Sequence, residues 1–113
     1  MMTFDFYPEA RAEYLASIAY YEDERVGLGS EFVQDVEAAI QMILAYPSAF
    51  PVMGADVRRC MLRRFPYGIL YATLDERILV IAVAHAKRPP GYWQSRQPWV
   101  ARVKKRRNPE GSK

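Results

Sequence analysis

The feature that most constrains the fold is a pair of extended segments in the second half of the chain. Arg77–His85 is apolar almost throughout. A continuous apolar run of this length is typical of a strand that is buried on both faces. Tyr67–Thr73 precedes it and is rich in aromatic and branched residues, and Asp75-Glu76 supplies the turn between them. The two segments therefore predict an antiparallel pair at the centre of a sheet.

A third extended segment, Val57–Phe65, precedes this pair and alternates charged with apolar residues. Side chains of a strand point alternately to its two faces. Arg59 and Arg63 are therefore predicted to lie on one face of the sheet, and Arg58 and Arg64 on the other.

The first half of the chain predicts a cover for one face of this sheet. Thr3–Tyr7 alternates and is short, which indicates a first strand that ends at Pro8. Glu9–Arg25 and Glu31–Ala45 have apolar residues at helical spacing. In the first helix the predicted buried stripe consists of Ala12, Leu15, Ile18 and Ala19.

The connections complete the predicted architecture. Gly27-Leu28-Gly29 breaks the helical pattern, and Ser30 is a suitable cap for the second helix. Residues 47–56 are predicted to form an ordered loop. The fold class is therefore α+β with the order β-α-α-β-β-β, in which a helical hairpin packs on a small, mainly antiparallel twisted sheet.

The length of 113 residues allows one domain with one core. We place that domain at residues 1–96. Residues 97–113 form a basic C-terminal tail in which Arg102, Lys104, Lys105, Arg106 and Arg107 lie close together. We expect this tail to be mobile or to become ordered only on a partner.

The cellular compartment is predicted from what the sequence does not contain. No apolar run approaches the ~20 residues that a membrane helix requires, so no membrane partner is expected. The N-terminus has neither a basic start nor a long apolar stretch, and Cys60 is the one cysteine. These features predict a cytoplasmic protein without a secretory signal or an internal disulfide.

Charge is distributed unevenly along the chain. Residues 1–56 contain ten acidic side chains and two arginines, whereas residues 57–113 contain fourteen Lys and Arg and three acidic side chains. Such asymmetry suggests a face that binds a polyanion or an acidic partner. The alternative is that acidic helices lie beside a basic sheet and partly neutralise it.

Cofactor chemistry finds no support in the sequence, because one His and one Cys do not make a metal site and no glycine-rich phosphate loop follows a strand. No cofactor or metal is therefore predicted. The basic residues of the last strands suit metal-independent RNA cleavage, since Arg or Lys stabilises a charged phosphate and a His or Tyr moves a proton. The candidate catalytic residues of such a nuclease are His85, Arg64, Arg88 and Tyr92.

The same residues have structural interpretations. His85 at a strand end is a candidate for bonding a backbone carbonyl, and arginines on an edge strand protect that edge from aggregation. Tyr92 and Trp93 either stack on a base or cap the open end of the sheet. Without catalysis, the candidate residues for binding a target or partner are Arg58, Arg59, Arg63, Lys87 and Trp93.

Several short patterns together resemble the RelE/ParE superfamily of bacterial type II toxins. They are the helical pattern Ala12-x-x-Leu15-x-x-Ile18-Ala19-x-Tyr21, then Phe32-x-x-x-Val36, Pro47-x-x-Phe50-Pro51, Arg63-Arg64-Phe65-Pro66-Tyr67-x-Ile69-x-Tyr71 and Ile81-x-Val83-x-His85-x-x-Arg88. The resemblance extends over residues 4–96. It implies the β-α-α-β-β-β fold already predicted, and a cognate antitoxin that wraps the toxin in a hetero-oligomer.

The resemblance leaves the target open between two branches. RelE-like members cut messenger RNA on the ribosome, and ParE-like members inhibit DNA gyrase. Arg58–Arg64 lacks the lysines typical of the ribosome-dependent nucleases, and the tyrosine-rich first helix looks more ParE-like. We therefore favour a ParE-like toxin of an addiction module (plasmid stabilisation) that acts on gyrase. The alternatives are a RelE-like endoribonuclease and an inactive toxin that only binds its antitoxin.

Overall fold

The computed structural model describes residues 2–96, and over this range helices pack against one sheet. The elements in chain order are strand β1 (Thr3–Phe6), helix α1 (Pro8–Glu24), helix α2 (Leu28–Ala45), and strands β2 (Val52–Gly54), β3 (Val57–Met61), β4 (Tyr67–Leu74) and β5 (Arg77–His85), followed by a 3₁₀ turn at Tyr92–Ser95. The predicted α+β class is confirmed, with β2 added where the sequence predicted a loop.

The strands lie in the order β1-β5-β4-β3-β2. β1 runs parallel to β5, and every other neighbouring pair is antiparallel. The prediction of a mainly antiparallel sheet is therefore confirmed. β5 lies between β1 and β4, and Val80, Ile81 and Ala82 at its centre are fully buried. This agrees with the continuous apolar run in its sequence.

The main core lies between the helices and one face of the sheet. Aromatic rings meet there, because the ring of Phe32 on α2 lies 4.9 Å from that of Tyr67 and 5.3 Å from that of Tyr21 on α1. Tyr71 is fully buried in the same layer, and its hydroxyl donates to the Pro47 carbonyl at 2.7 Å. This bond ties the end of α2 to the middle of the sheet.

The predicted buried stripe of α1 is wrong for three of its four residues. Ala12 and Ala19 are exposed, Leu15 is 50% exposed, and Ile18 alone is half-buried. The core side of α1 is instead formed by Ala10, Glu13, Tyr14, Ser17, Ile18 and Tyr21. The helix is apolar on both sides, so its hydrophobic pattern did not define one face.

The helix boundaries also differ from the prediction. Pro8 begins α1 and does not merely end the strand, because the first position of a helix needs no N–H donor. α2 begins at Leu28, and Gly27 caps it with φ near 90°, a conformation that favours glycine. Gly29 and Ser30 therefore lie inside α2. The Glu22 carboxylate accepts the backbone N–H groups of Gly27 and Gly29, which closes the connection between the helices.

β3 ends at Met61, four residues before the predicted end. The backbone N–H groups of Arg64 and Phe65 donate to the Asp35 carboxylate on α2 at 2.9 and 3.1 Å. Asp35 is buried, which is unusual for a carboxylate on a helix. The buried carboxylate thus turns the connection between β3 and β4 toward the helices.

β5 contains a bulge that its sequence does not reveal. Leu70 of β4 pairs with Ala82, but the next residue, Tyr71, pairs with Val80. Ile81 is therefore the additional residue, and both Ile81 and Ala82 pack on the side of the sheet away from the helices. β1 ends at its pairing with Val80, so the edge of β5 beyond this point has no neighbouring strand among the described residues.

The side of the sheet away from the helices carries a second, smaller apolar cluster. Val57, Leu70, Leu74, Ile81 and Trp93 belong to it. Trp93, in the 3₁₀ turn, is 3% exposed and covers part of this face. In residues 2–96 no helix is long and apolar enough to cross a membrane.

Candidate functional site

A cavity of about 450 Å³ lies on the side of the sheet away from the helices. β3 contributes Arg59 and Met61, β4 contributes Gly68 and Leu70, and the end of β5 contributes His85. The segment after β5 closes the other side, with Arg88, Tyr92, Trp93 and Gln94. None of the described residues that line the cavity is acidic, so its electrostatic character is positive.

His85 lies at the rim of the cavity, where β5 leaves the sheet. Its ring packs edge-on against Tyr67 at 5.1 Å between centroids. The backbone N–H of Lys87 donates to His85 Nδ1 at 3.0 Å. An accepting Nδ1 means that the neutral ring carries its proton on Nε2, so His85 acts as a donor through that atom.

Arg88 and Tyr92 form one side of the cavity together. The Arg88 guanidinium carbon lies 3.9 Å from the centre of the Tyr92 ring, a cation–π contact. Among residues 2–96 no carboxylate lies within ion-pair distance of Arg88. Its charge therefore remains available to the cavity while the aromatic ring fixes its position.

The Tyr92 hydroxyl points away from Arg88 and the cavity, into a buried hydrogen-bond network centred on Glu13 of α1. Tyr92 Oη donates to Glu13 Oε2 at 2.8 Å, and Arg96 donates to the same carboxylate through Nη2 at 2.5 Å. Glu13 Oε1 accepts the backbone N–H of Val83 at 3.0 Å, and Arg96 Nη1 donates to the Ile81 carbonyl at 2.6 Å. Glu13 and Arg96 thus provide hydrogen-bond partners for the backbone of β5 beyond the end of β1.

The surroundings of Tyr92 make its hydroxyl a poor proton donor to a substrate. Burial raises the pKa of Tyr92 above its usual value of 10, and the hydrogen bond to Glu13 raises it further. For Arg96, burial acts to lower the pKa, but the hydrogen bonds to Glu13 outweigh this effect and raise it. The network therefore keeps Tyr92 neutral and Arg96 charged.

The candidate arginines of the third segment are divided between the two sides of the sheet. Arg59 faces the cavity, whereas Arg58 donates to the Phe50 carbonyl at 2.7 Å on the helix side. Arg64 also lies toward the helices, where its Nη2 is 2.7 Å from Glu31 Oε1. That hydrogen bond lowers the pKa of Glu31. The alternation predicted for Arg58 and Arg59 is confirmed within β3. Arg64 lies beyond the end of β3, and its contact with Glu31 draws it away from His85 and Arg88.

The remaining candidates have separate positions. Arg63 is exposed beyond the end of β3, and Lys87 is exposed beside His85. Trp93 contributes to the wall of the cavity from its buried position. The tail of residues 97–113, including Arg102–Arg107, lies outside the described residues. Residues 2–96 contain no group of three His, Cys, Asp or Glu side chains that could hold a metal ion.

Glu13 and Arg96 are the important residues that the sequence analysis did not single out. Glu13 lies in the second turn of α1 and faces inward. Its partners Val83, Tyr92 and Arg96 are 70, 79 and 83 positions away in the chain. No local pattern identifies partners so far apart in the chain. The one available signal was that Glu13 is an acidic residue between Ala12 and Leu15, two residues of the predicted buried stripe.

Comparisons with known proteins agree with this fold. A family model described as "ParE toxin of type II toxin-antitoxin system, parDE" matches residues 4–90. Among curated proteins nothing matches. A solved structure titled "Chromosomal ParDE TA system from P. aeruginosa" is similar with a TM-score of 0.66 and 20% identity, over 77% of this chain and 98% of that one.

A second similar structure is that of the isolated E. coli RelE toxin. Its TM-score is 0.58 at 23% identity, and the match covers 88% of this chain and 99% of the RelE chain. At these identities both likenesses establish the fold alone. The family model covers most of the sequence, and its match to residues 4–90 shows that this chain belongs to the ParE toxin family of type II toxin–antitoxin systems.

Proposed function

We propose that the chain is a ParE-like toxin that inhibits growth through DNA gyrase without cleaving RNA, and that a cognate antitoxin neutralises it. Membership of the family implies the antitoxin partner. Gyrase as the target, and the cytoplasm as the compartment in which both partners are found, are part of this proposal. The toxin acts by binding, so it needs no cofactor.

The observation that carries the proposal is the hydrogen bond between Tyr92 Oη and Glu13 Oε2, 2.8 Å long. A nuclease built on this cavity would need a second group besides His85 to move a proton, and Tyr92 is the tyrosine of the cavity wall. Its hydroxyl is already used, and its pKa is raised by burial and by Glu13. An acid–base pair of His85 and Tyr92 is therefore not assembled in this arrangement.

The position of Arg64 supports the same conclusion. A cation that stabilises the charge of a reacting phosphate must lie beside the proton-transfer groups. Arg64 instead contacts Glu31 of α2 on the helix side of the sheet. Of the four candidate catalytic residues, only His85 and Arg88 present their functional groups to the cavity, which is a binding arrangement more than a catalytic one.

The antitoxin has a suitable surface on α1. Leu15 is 50% exposed and Tyr20 is 57% exposed, and with Ala12, Ala16 and Ala19 they follow the spacing of one helix face. A helix with an apolar face toward solvent is typical of a surface that a partner covers. We therefore assign this face, Ala12, Leu15, Ala16, Ala19 and Tyr20, as the docking surface for an apolar helix of the antitoxin.

Expression of the chain with and without its antitoxin tests the proposal. We expect growth arrest without the antitoxin and none with it, and we expect His85→Ala to arrest growth as strongly as the wild type. As a control, the double change Leu15→Glu and Tyr20→Glu should arrest growth even when the antitoxin is present. Loss of toxicity in His85→Ala would favour the nuclease, and a harmless wild-type protein would indicate an inactive toxin.

A further inference from the structure

The arginines of this protein differ in whether a carboxylate neutralises them. Arg25, Arg64, Arg77 and Arg96 each lie within 4 Å of an acidic oxygen. Arg59 and Arg88 line the cavity and have no such partner among residues 2–96. With His85 at the rim, the cavity brings together three groups that bind anions.

Among these three residues, Arg59 has a hydrogen-bond donor without an acceptor. Its Nε atom is buried and has no hydrogen-bond partner among the described residues. A buried donor without an acceptor is unfavourable, and a group of this kind needs an explanation in a native protein. Arg59 is therefore an arginine of the cavity whose Nε–H makes no hydrogen bond within residues 2–96.

Gly68 provides the space that places Arg59 in this position. A Cβ atom at Gly68 would lie 3.1 Å from Arg59 Cγ and 3.2 Å from its Cδ. The aliphatic part of Arg59 thus passes directly over the backbone of β4, toward the cavity. The Arg59 side chain can take this path because Gly68 has no side chain to obstruct it.

We propose that this cavity binds a phosphate-bearing ligand of mononucleotide size, with Arg59 as its anchor. The planar edge of a guanidinium that carries Nε and one Nη binds two oxygens of a phosphate at once. Arg88 and His85 supply further positive or donor groups at the same cavity. Nε itself is buried, so its N–H reaches an anion only when the Arg59 side chain changes rotamer, and that change is part of this proposal.

The size and the remaining walls of the cavity identify the rest of the ligand. At about 450 Å³ the cavity lies within the range of small-molecule sites. Met53, Met61, Leu70 and Trp93 supply apolar surface beside the basic groups. Apolar and aromatic surface beside basic groups suits a nucleoside attached to the phosphate, and its source would be either a free nucleotide or one nucleotide of a single strand. No bond is broken, so this inference stands independently of the toxin's target.

Nuclear magnetic resonance of the full chain tests the inference, because the Nε–H group of an arginine gives its own signal. The probes are inorganic phosphate, a nucleoside 5′-monophosphate and a short single-stranded oligonucleotide, each added at constant ionic strength. We expect the Arg59 Nε–H signal to shift saturably with the monophosphate and the Gly68 amide to shift with it. Tighter binding of the oligonucleotide would identify a strand as the source, and equal or weaker binding a free nucleotide.

Three variants make the test specific. Arg59→Gln should weaken monophosphate binding about tenfold or more, since a hydrogen bond to a charged group changes an equilibrium by that factor. Arg63→Gln removes the same charge outside the cavity and should change affinity less than about twofold, because exposed charges contribute little. Gly68→Ala leaves the charge unchanged but crowds the Arg59 and Met61 side chains, and should weaken binding in a protein that remains folded.

Three results would overturn the inference. The first is a titration in which no probe shifts the Arg59 signal saturably. The second is equal weakening by Arg59→Gln and Arg63→Gln, which would indicate general charge attraction. The third is unchanged binding in a folded Arg59→Gln protein.

Discussion

Glu13 of α1 and Arg96 beyond the 3₁₀ turn meet at the edge of β5 directly after the last residue that β1 pairs. The two side chains, 17% and 9% exposed, take the place of a neighbouring strand by bonding the Val83 N–H and the Ile81 carbonyl. The same carboxylate holds Tyr92. One buried ion pair therefore joins the first helix, the bulged strand and the wall of the cavity.

Replacing Glu13 by Ala should destabilise the fold strongly. The change leaves the Arg96 guanidinium buried without its carboxylate and the Val83 N–H without an acceptor. Removing one partner of a buried pair costs about 3–5 kcal/mol. Urea unfolding of Glu13→Ala should show this loss, whereas Asp23→Ala, at an exposed position of the same helix, should change the free energy of unfolding by less than about 0.5 kcal/mol. Equal effects of the two changes would contradict the role of Glu13.

Asp35 is expected to stabilise the connection between β3 and β4. Asp35→Ala leaves the backbone N–H groups of Arg64 and Phe65 without their acceptor, at a cost of about 1–3 kcal/mol. Asp35→Asn retains one accepting oxygen and should lose less. Urea unfolding measures both, with Gln34→Ala as the exposed neighbouring control. If Asp35→Asn is as unstable as Asp35→Ala, the accepting oxygen does not account for the stabilisation by Asp35.

Alkaline pH should weaken the attachment of the 3₁₀ turn through Tyr92. Burial and the Glu13 carboxylate raise the pKa of Tyr92 above the value of 10 that it has in the unfolded chain. The folded state therefore holds this proton more tightly, and the stability it provides is present below pH 10 and decreases as the pH rises above it. In Tyr92→Phe the free energy of unfolding should fall less steeply above pH 10 than in the wild type.

Tyr71→Phe serves as a comparison for the alkaline experiment. Burial raises the pKa of Tyr71 to about 12, so this variant should also reduce the slope between pH 10 and 12. The Tyr71 hydroxyl donates to the Pro47 carbonyl, and within residues 2–96 no carboxylate accepts from it, in contrast to Tyr92. Identical pH profiles for the wild type and Tyr92→Phe would contradict the burial of the Tyr92 hydroxyl against Glu13.

The exposed apolar face of α1 should determine affinity for the antitoxin. Tyr20→Ala removes a large, half-exposed aromatic side chain of the kind that often contributes most to an interface. We expect it to weaken antitoxin binding about fivefold or more, which corresponds to a loss above ~1 kcal/mol. Calorimetry of the purified pair measures this. Gln34→Ala on α2 is the control, and equal affinities for the two variants would place the antitoxin elsewhere.

The sequence predicted those parts of the fold that local patterns determine. Alternation in β3 correctly separated Arg59 from Arg58, because a strand has a strict two-residue period. The α1 stripe was wrong because that helix is apolar on both sides, and Leu15 faces solvent. The bulge at Ile81 was hidden because all its neighbours are apolar, so a shift of one residue left no trace in the pattern.

The candidate site was predictable in part, because some of its residues are brought together by strands that the sequence predicted. His85 and Arg88 lie close together because they follow one strand, and Arg59 joins them through strand pairing. The engagement of Tyr92 was not predictable, because its partner Glu13 is 79 positions away. Long-range ion pairs of this kind depend on how the elements pack, and the spacing of residues in the chain does not encode them.

The most direct test of the proposed function is DNA supercoiling by purified gyrase, with ribosome-bound messenger RNA treated in parallel. We predict that the wild type and His85→Ala inhibit supercoiling equally, that the antitoxin restores it, and that the messenger RNA stays intact. Unimpaired supercoiling together with messenger RNA cleavage that His85→Ala lowers by ~10²-fold or more would contradict the proposal and identify a nuclease.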